Sequence, residues 1–179
     1  CDEGPHEARG GIVPVPWEKC LSLSGAWGYC PEDHYQTGED MIRMLVNVVC
    51  RDGNLLLNVG PDPEGGFPRE AVKVLRELGK WMEENGEAVY GTRGGIWQPV
   101  DGVYGSTCKG DSVYVHILDY AAFDGMELPG ISQKVKSAQL LDGTVIEFTQ
   151  EPERVTLRIP EAVSREGRID TIVKLLTER

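Results

Sequence analysis

Arg51–Pro61 reads Arg-Asp-Gly-Asn-Leu-Leu-Leu-Asn-Val-Gly-Pro. Asp52-Gly53 is a turn signal. Leu55, Leu56 and Leu57 form a short apolar run that Val59 extends and Gly60-Pro61 ends. A run without polar alternation suits a strand buried on both faces, as in parallel sheets. Helical apolar spacing precedes and follows it. Helix–strand–helix with short connections is the rhythm of an α/β barrel or a doubly wound sheet. Asn58 interrupts the apolar run at its carboxyl end, where such folds place their chemistry. A second reading of Asn58, equally open, is a side chain that caps the following loop.

Upstream, Trp17–Leu23 reads as a short strand that alternates apolar and hydroxyl-bearing residues from Cys20 to Leu23. The loop Ser24–His34 follows and carries Trp27 and Tyr29 around a single glycine. Paired aromatics in a loop suit either a hydrophobic lid or a stacking platform for the C–H face of a sugar. Thr37 is placed to cap a helix Glu39–Cys50, with Glu39 and Asp40 at its positive end. Ile42, Leu45, Val46 and Val49 mark its buried face. Pro68 suits the first turn of a second helix, which runs to about Asn85 and stops at Gly86. Ala71, Leu75, Leu78 and Met82 form its buried face. Ala88-Val89-Tyr90 reads as a further short strand.

A composition shift falls at Gly91–Gly95. Beyond it, short β-rich runs recur between turn signals: Val103-Tyr104, Ser112–Leu118, Lys136–Leu141, Val145–Thr149, Val155–Ile159 and Thr171–Leu176. Six short strands with frequent turns predict an antiparallel sandwich. The chain therefore reads as the tail of an α/β domain followed by a small all-β domain. Its 179 residues are too few for a complete (β/α)8 barrel, which takes about 250. A chain that opens at Cys1 rather than Met reads as a fragment or a processed product.

The net charge of −11 disfavours nucleic acid and anionic membranes, which need a positive field. No apolar run approaches the ~20 residues of a membrane span. The five cysteines and three histidines lack metal-ligand spacing and read as free or buried side chains. A Cys20–Cys30 bridge is open.

Several segments together resemble glycoside hydrolase family 29, the α-L-fucosidases. They are Pro16-Trp17-Glu18-Lys19-Cys20, Trp27-Gly28-Tyr29 and Gly53–Pro61, in that order and spacing. Gly79-Lys80-Trp81, Asn85–Thr92 and Leu140-Leu141-Asp142-Gly143 extend the likeness over nearly the whole chain. The resemblance implies the carboxyl-terminal part of a (β/α)8-like barrel over residues 1–92 and the family's β-sandwich over 93–179.

It also implies a retaining exo-glycosidase that removes terminal α-L-fucose from fucosylated glycans by double displacement, with no cofactor and no metal. Such enzymes use a nucleophile and a general acid/base about 5–5.5 Å apart. The family's nucleophile is an Asp on an earlier barrel strand, and no segment here resembles that strand. The family's fucose-binding histidines and one tryptophan also belong to the part without a match. For the acid/base the resemblance leaves three candidates: Glu7 and Glu3 on the loop before the Trp-Glu motif, and Glu18 within that motif. Glu18 also reads as a carboxylate that anchors the loop. Trp27 resembles the aromatic residue lining the fucose site. His34 is a weaker candidate for substrate contact, and Tyr29 weaker still.

By this reading the chain alone is inactive, and its partner is the missing amino-terminal barrel segment. An incomplete barrel has association-prone edges, so self-association is a second expectation. The family implies a secreted, periplasmic or lysosomal setting and leaves a cytoplasmic one open. Two other readings stand beside the enzyme: half of a split enzyme, and a non-catalytic carbohydrate-binding or scaffolding module with Trp97, Tyr104 and Tyr114 as its aromatics.

Overall fold

The computed structural model describes residues 10–164 and 167–178. Strand β1 (Trp17–Ser22) leads through the Ser24–Gln36 loop to helix α1 (Gly38–Val49), then to strand β2 (Gly53–Asn58) and helix α2 (Arg69–Asn85). β1 and β2 pair in parallel, Trp17 opposite Gly53 and Ser22 opposite Asn58. Thr37 starts α1 with a capping box: its hydroxyl accepts the Asp40 N–H at 3.1 Å, and Asp40 Oδ2 accepts the Thr37 N–H at 3.1 Å. Two orphan donors of the first turn are thereby satisfied.

The turn between α1 and β2 is sharp because Asp52 adopts φ 68°, a region that Asp tolerates better than most residues. Gly53 follows because a Cβ there would lie 2.4 Å from the Trp17 ring. The Trp17 Nε1–H donates to the Arg51 carbonyl at 3.0 Å. The Trp-Glu and Asp-Gly segments thus interlock.

The expectation of a strand buried on both faces needs correction. The helices cover only one face of β1–β2, where Leu21, Leu23, Leu57 and Val59 pack with Met41, Ala71 and Val74. The other face carries Glu18, Cys20 and Ser22 beside Asn54, Leu56 and Asn58. Leu56 is 50% exposed there. Among the described residues β1 and β2 have no further strand neighbour, and Glu18, Cys20, Asn54 and Leu56 on that face are exposed.

Ala88–Tyr90 is not a strand either. The Gly86 carbonyl accepts the N–H groups of both Val89 (3.0 Å) and Tyr90 (2.7 Å), and these local bonds make a 3-10 turn over Gly86–Ala88.

The remainder holds β3 (Arg93–Gly94), β4 (Tyr104–Lys109), β5 (Ser112–Ile117), β6 (Glu127–Pro129), β7 (Val135–Leu140), β8 (Glu147–Gln150), β9 (Arg154–Arg158) and β10 (Thr171–Thr177). Short helices α3 (Tyr120–Phe123) and α4 (Glu161–Ser164) interrupt it. The antiparallel sheets run β3-β4-β5-β10-β7 and β6-β9-β8. Val115, Leu140, Val173 and Leu175 of the larger sheet share a core with Leu128, Val155 and Leu157 of the smaller. This is the expected sandwich, with β3 and β6 added to the strands read from sequence.

The far face of the larger sheet meets the helices. Tyr114 and Ile172 pack with Ile42, Val46, Cys50 and Trp81. Polar ties reinforce the contact. The Thr107 hydroxyl donates to the Ala88 carbonyl at 2.7 Å, and the Tyr114 hydroxyl to Glu87 at 2.8 Å. The buried Arg51 guanidinium binds the Gly10 carbonyl at 2.9 Å, and also Asn47 and Asp101.

Candidate active-site mouth

β1 and β2 end side by side, and the loop after β1 folds back over them. The Leu23 N–H donates to the Asn58 carbonyl at 2.9 Å, and the Gln36 N–H to the Leu23 carbonyl at 2.9 Å. Ser22 Oγ donates to the Ala26 carbonyl at 2.6 Å. Asn58 Nδ2 donates to the Trp27 carbonyl at 2.8 Å. Asn58 therefore holds the preceding loop, not the one that follows it. Gly60 completes the fit: a Cβ there would lie 2.7 Å from the Gly28 carbonyl carbon.

Asp33 pins the loop from the other side. Its carboxylate accepts N–H bonds from Gly25 (3.2 Å), Ala26 (2.9 Å) and His34 (2.9 Å). A bond from the Ser24 hydroxyl, with those backbone donors, holds its carboxyl below the usual aspartate range. It stays ionised at neutral pH and works as a loop anchor. Asp33 does not stand out in the sequence, because a carboxylate among loop residues carries no spacing signal, and Ser22 shows only as the hydroxyl in the alternation along β1.

So pinned, the loop presents Trp27 (42% exposed) and Tyr29 (40% exposed). Trp27 opens on a groove of about 870 Å3 that runs along β1, with Ser22 and Ser24 at one end and Asn47 and Asp101 along its walls. This mouth offers a half-exposed aromatic face beside hydroxyl and amide groups. That pairing suits a sugar, whose C–H face stacks on aromatic carbons and whose hydroxyls take hydrogen bonds.

The other candidates are more scattered. Glu18 is exposed on the open face of β1–β2, opposite Asn54. At about 3.3 Å per residue it stands roughly 13 Å along the strand from Ser22. Glu3 and Glu7 lie outside the described residues. His34 is exposed, at the end of the loop. Cys20 and Cys30 are both exposed free thiols, so the open bridge is not formed. Among the described residues no group of three or more His, Cys, Asp or Glu side chains gathers to hold a metal.

Comparison with known proteins meets this geometry. Residues 3–87, which include β1, the aromatic loop, α1, β2 and α2, match the family model described as alpha-L-fucosidase. The plasma alpha-L-fucosidase of Rattus norvegicus is 39% identical over 87 residues, 46% of this chain and 19% of that protein. The tissue alpha-L-fucosidase of the same species is 31% identical over 155 residues, 81% of this chain and 33% of that protein. The chain thus spans a fifth to a third of these relatives' length. Among solved structures, alpha-L-fucosidase isoenzyme 1 from Paenibacillus thiaminolyticus superposes with a TM-score of 0.82 at 34% identity, over 98% of this chain and 43% of that one. The last two likenesses run on through the sandwich, and with the family model they show that the chain belongs to the α-L-fucosidase family.

Proposed function

We propose that this chain forms the carboxyl-terminal part of a retaining α-L-fucosidase, and that β1-α1-β2-α2 closes a (β/α)8-like barrel. The observation that carries the reading is the coincidence of the family match over residues 3–87 with a parallel strand pair whose carboxyl ends present Trp27. The open face bearing Glu18, Cys20 and Leu56 becomes barrel interior, and the edge of β1 away from β2 receives the neighbouring barrel strand, so that the Trp27 end of the groove stays open as the mouth. Residues 1–92 are then the barrel part and 93–179 the sandwich. The relatives' greater length supports this, because they contain chain that this one does not match.

In the complete site Trp27 packs against the ring carbons and methyl of fucose. The nucleophile is an Asp in the unmatched upstream part of the family. A carboxyl from this chain protonates the leaving oxygen and then activates water. Glu7 and Glu3 precede the Trp-Glu motif in the sequence. Glu18, in the first half of β1, stands back from the carboxyl end of the strand, where catalytic groups in such folds gather. His34 contributes from the end of the aromatic loop between β1 and α1. The substrate is a fucosylated glycan.

The sandwich does not read as a separate glycan-binding module. Trp97 is 2% exposed, and its Nε1–H donates to the Pro129 carbonyl at 2.7 Å. Tyr104 and Tyr114 are also buried, so none of the three offers a stacking face.

The test is hydrolysis of a chromogenic α-L-fucoside by the purified 179-residue chain, alone and mixed with the upstream polypeptide of a related fucosidase. No turnover alone and turnover on mixing is the expected result. Turnover by the chain alone would place the nucleophile among its own carboxylates and overturn the assignment.

A further inference from the structure

Asn58 closes β2 directly opposite Ser22, the last residue of β1. Its amide orientation is fixed by its neighbours. Nδ2 lies 2.8 Å from the Trp27 carbonyl oxygen and 3.2 Å from Ser22 Oγ. A carbonyl only accepts, so the end that faces Trp27 is the NH2 group. Ser22 passes its own proton to the Ala26 carbonyl at 2.6 Å, which leaves its oxygen free to accept from Asn58. Donation therefore runs from Asn58 to Ser22 to Ala26, and in parallel from Asn58 to Trp27. The amide at the end of one strand and the hydroxyl at the end of the other hold two consecutive carbonyls of the aromatic loop. Asp33 holds the N–H groups of Gly25 and Ala26. The peptide that carries the Trp27 ring is thus fixed by side chains on both sides while the ring itself stays half exposed.

We propose that Asn58 is a positioning residue for sugar recognition: it fixes the Trp27 backbone so that the indole is presented, already oriented, at the mouth. This rests on the reading of Trp27 as the fucose platform. Fixing the ring beforehand removes an ordering cost that the sugar would otherwise meet on binding.

A donor role and a packing role for Asn58 predict opposite orders of effect. Aspartate is nearly isosteric with asparagine but sets a carboxylate oxygen against the Trp27 carbonyl. Alanine leaves the carbonyl without a partner but repels nothing. If Asn58 acts as a donor, Asn58→Asp disturbs Trp27 more than Asn58→Ala. If it only fills space, the order reverses.

The experiment uses the 179-residue chain labelled with 5-fluorotryptophan and read by 19F NMR. The Trp27 resonance is assigned by Trp27→Phe, and Trp17, Trp81 and Trp97 serve as internal controls. Asn58→Asp is expected to shift or split the Trp27 signal alone, Asn58→Ala to do so less, and Ser22→Ala least, since it spares the bond to Trp27. An unmoved Trp27 signal, the reverse order, or equal movement of all four signals would overturn the proposal. L-fucose is then titrated against the same resonance after the labelled chain is mixed with the upstream polypeptide of a related fucosidase, which supplies the rest of the sugar site, with at least tenfold weaker binding expected for Asn58→Asp. A wild-type Trp27 signal that ignores L-fucose removes the platform reading. The loop-setting role is judged separately, from the signals without sugar.

Discussion

The larger sandwich sheet and the β1–β2 pair both rest on the same two helices, but they treat their second faces differently. The sandwich sheet is covered twice, by the helices on one side and by β6-β9-β8 on the other. The β1–β2 pair is covered once. The two burial regimes leave different chemistry. Beside the doubly covered sheet, buried polar side chains face one another, while Asp170 Oδ1 has no hydrogen-bond partner among the described residues. His116 Nδ1 lies 2.7 Å from Asp170 Oδ2 and His116 Nε2 lies 3.3 Å from Thr107 Oγ1, with both His116 and Asp170 buried. On the singly covered pair, Glu18, Cys20 and Leu56 meet solvent, and the polar groups at the strand ends are used to shape a loop. The first region encloses its polar groups, and the second leaves them at the surface.

The comparison breaks most visibly at the buried pair. Removing one partner leaves the other uncompensated away from water, a loss of roughly 3–5 kcal/mol. Asp170→Ala is therefore expected to lower the urea midpoint more than any other single change considered. A loss below 1 kcal/mol would show that water reaches the pair. Leu140→Ala comes next. Leu140 is fully buried between the two sheets, and such truncations cost about 2–5 kcal/mol, depending on how far the cavity collapses. The same urea titration checks it.

A smaller effect links the two regions through pH. Asp52 accepts bonds from Arg93 Nε and the Gly94 N–H, each at 2.8 Å. The Arg93 bond first, then the Gly94 N–H, hold its carboxyl below the usual aspartate range. A depressed folded value gives stability that is present above the ordinary value of about 3.9 and is lost as pH falls through the folded one. Arg93 is largely exposed, so the pair is worth about 1 kcal/mol at most. The stability gap between wild type and Arg93→Gln should be at most that at neutral pH and should close below about pH 4. A gap independent of pH would assign Arg93 a packing role instead.

Much of this organisation is legible in the sequence. Thr37, Asp40 and the 3.6-residue apolar spacing predict α1 to within a residue of its observed span. The alternation of Val113, Val115 and Ile117 marks β5. Those signals are local, so they survive without tertiary context. The Leu55–Leu57 run misleads because an apolar strand records what it packs against in the finished assembly, and β2 has a helix on one side only. Ala88–Tyr90 misleads because Gly86 diverts its N–H groups into a turn. Trp27 is legible as an unusual loop aromatic. Asn58 is legible as a polar break in the strand, but its partner is not, since the register that sets it beside Ser22 joins residues 36 positions apart. Asp33 gives no signal, because its role lies in three backbone contacts.

The smallest expected effect is the most informative about the open face. Leu56→Ser removes apolar surface that is already half in water, so folding stability should change by no more than about 0.5 kcal/mol. Beside the 2–5 kcal/mol of Leu140→Ala, that would separate the two regions by the same measurement on the same chain. A loss above 2 kcal/mol would mean that something covers Leu56 in solution, such as a second copy of the chain. Sedimentation of wild type and variant at matched concentration checks this, because a self-association seated on that face should weaken along with the folding free energy. If the small effect holds in the isolated chain but grows once the upstream barrel segment is added, the open face is the one the barrel closes over. Leu56 is then core in the assembled enzyme and surface in this chain.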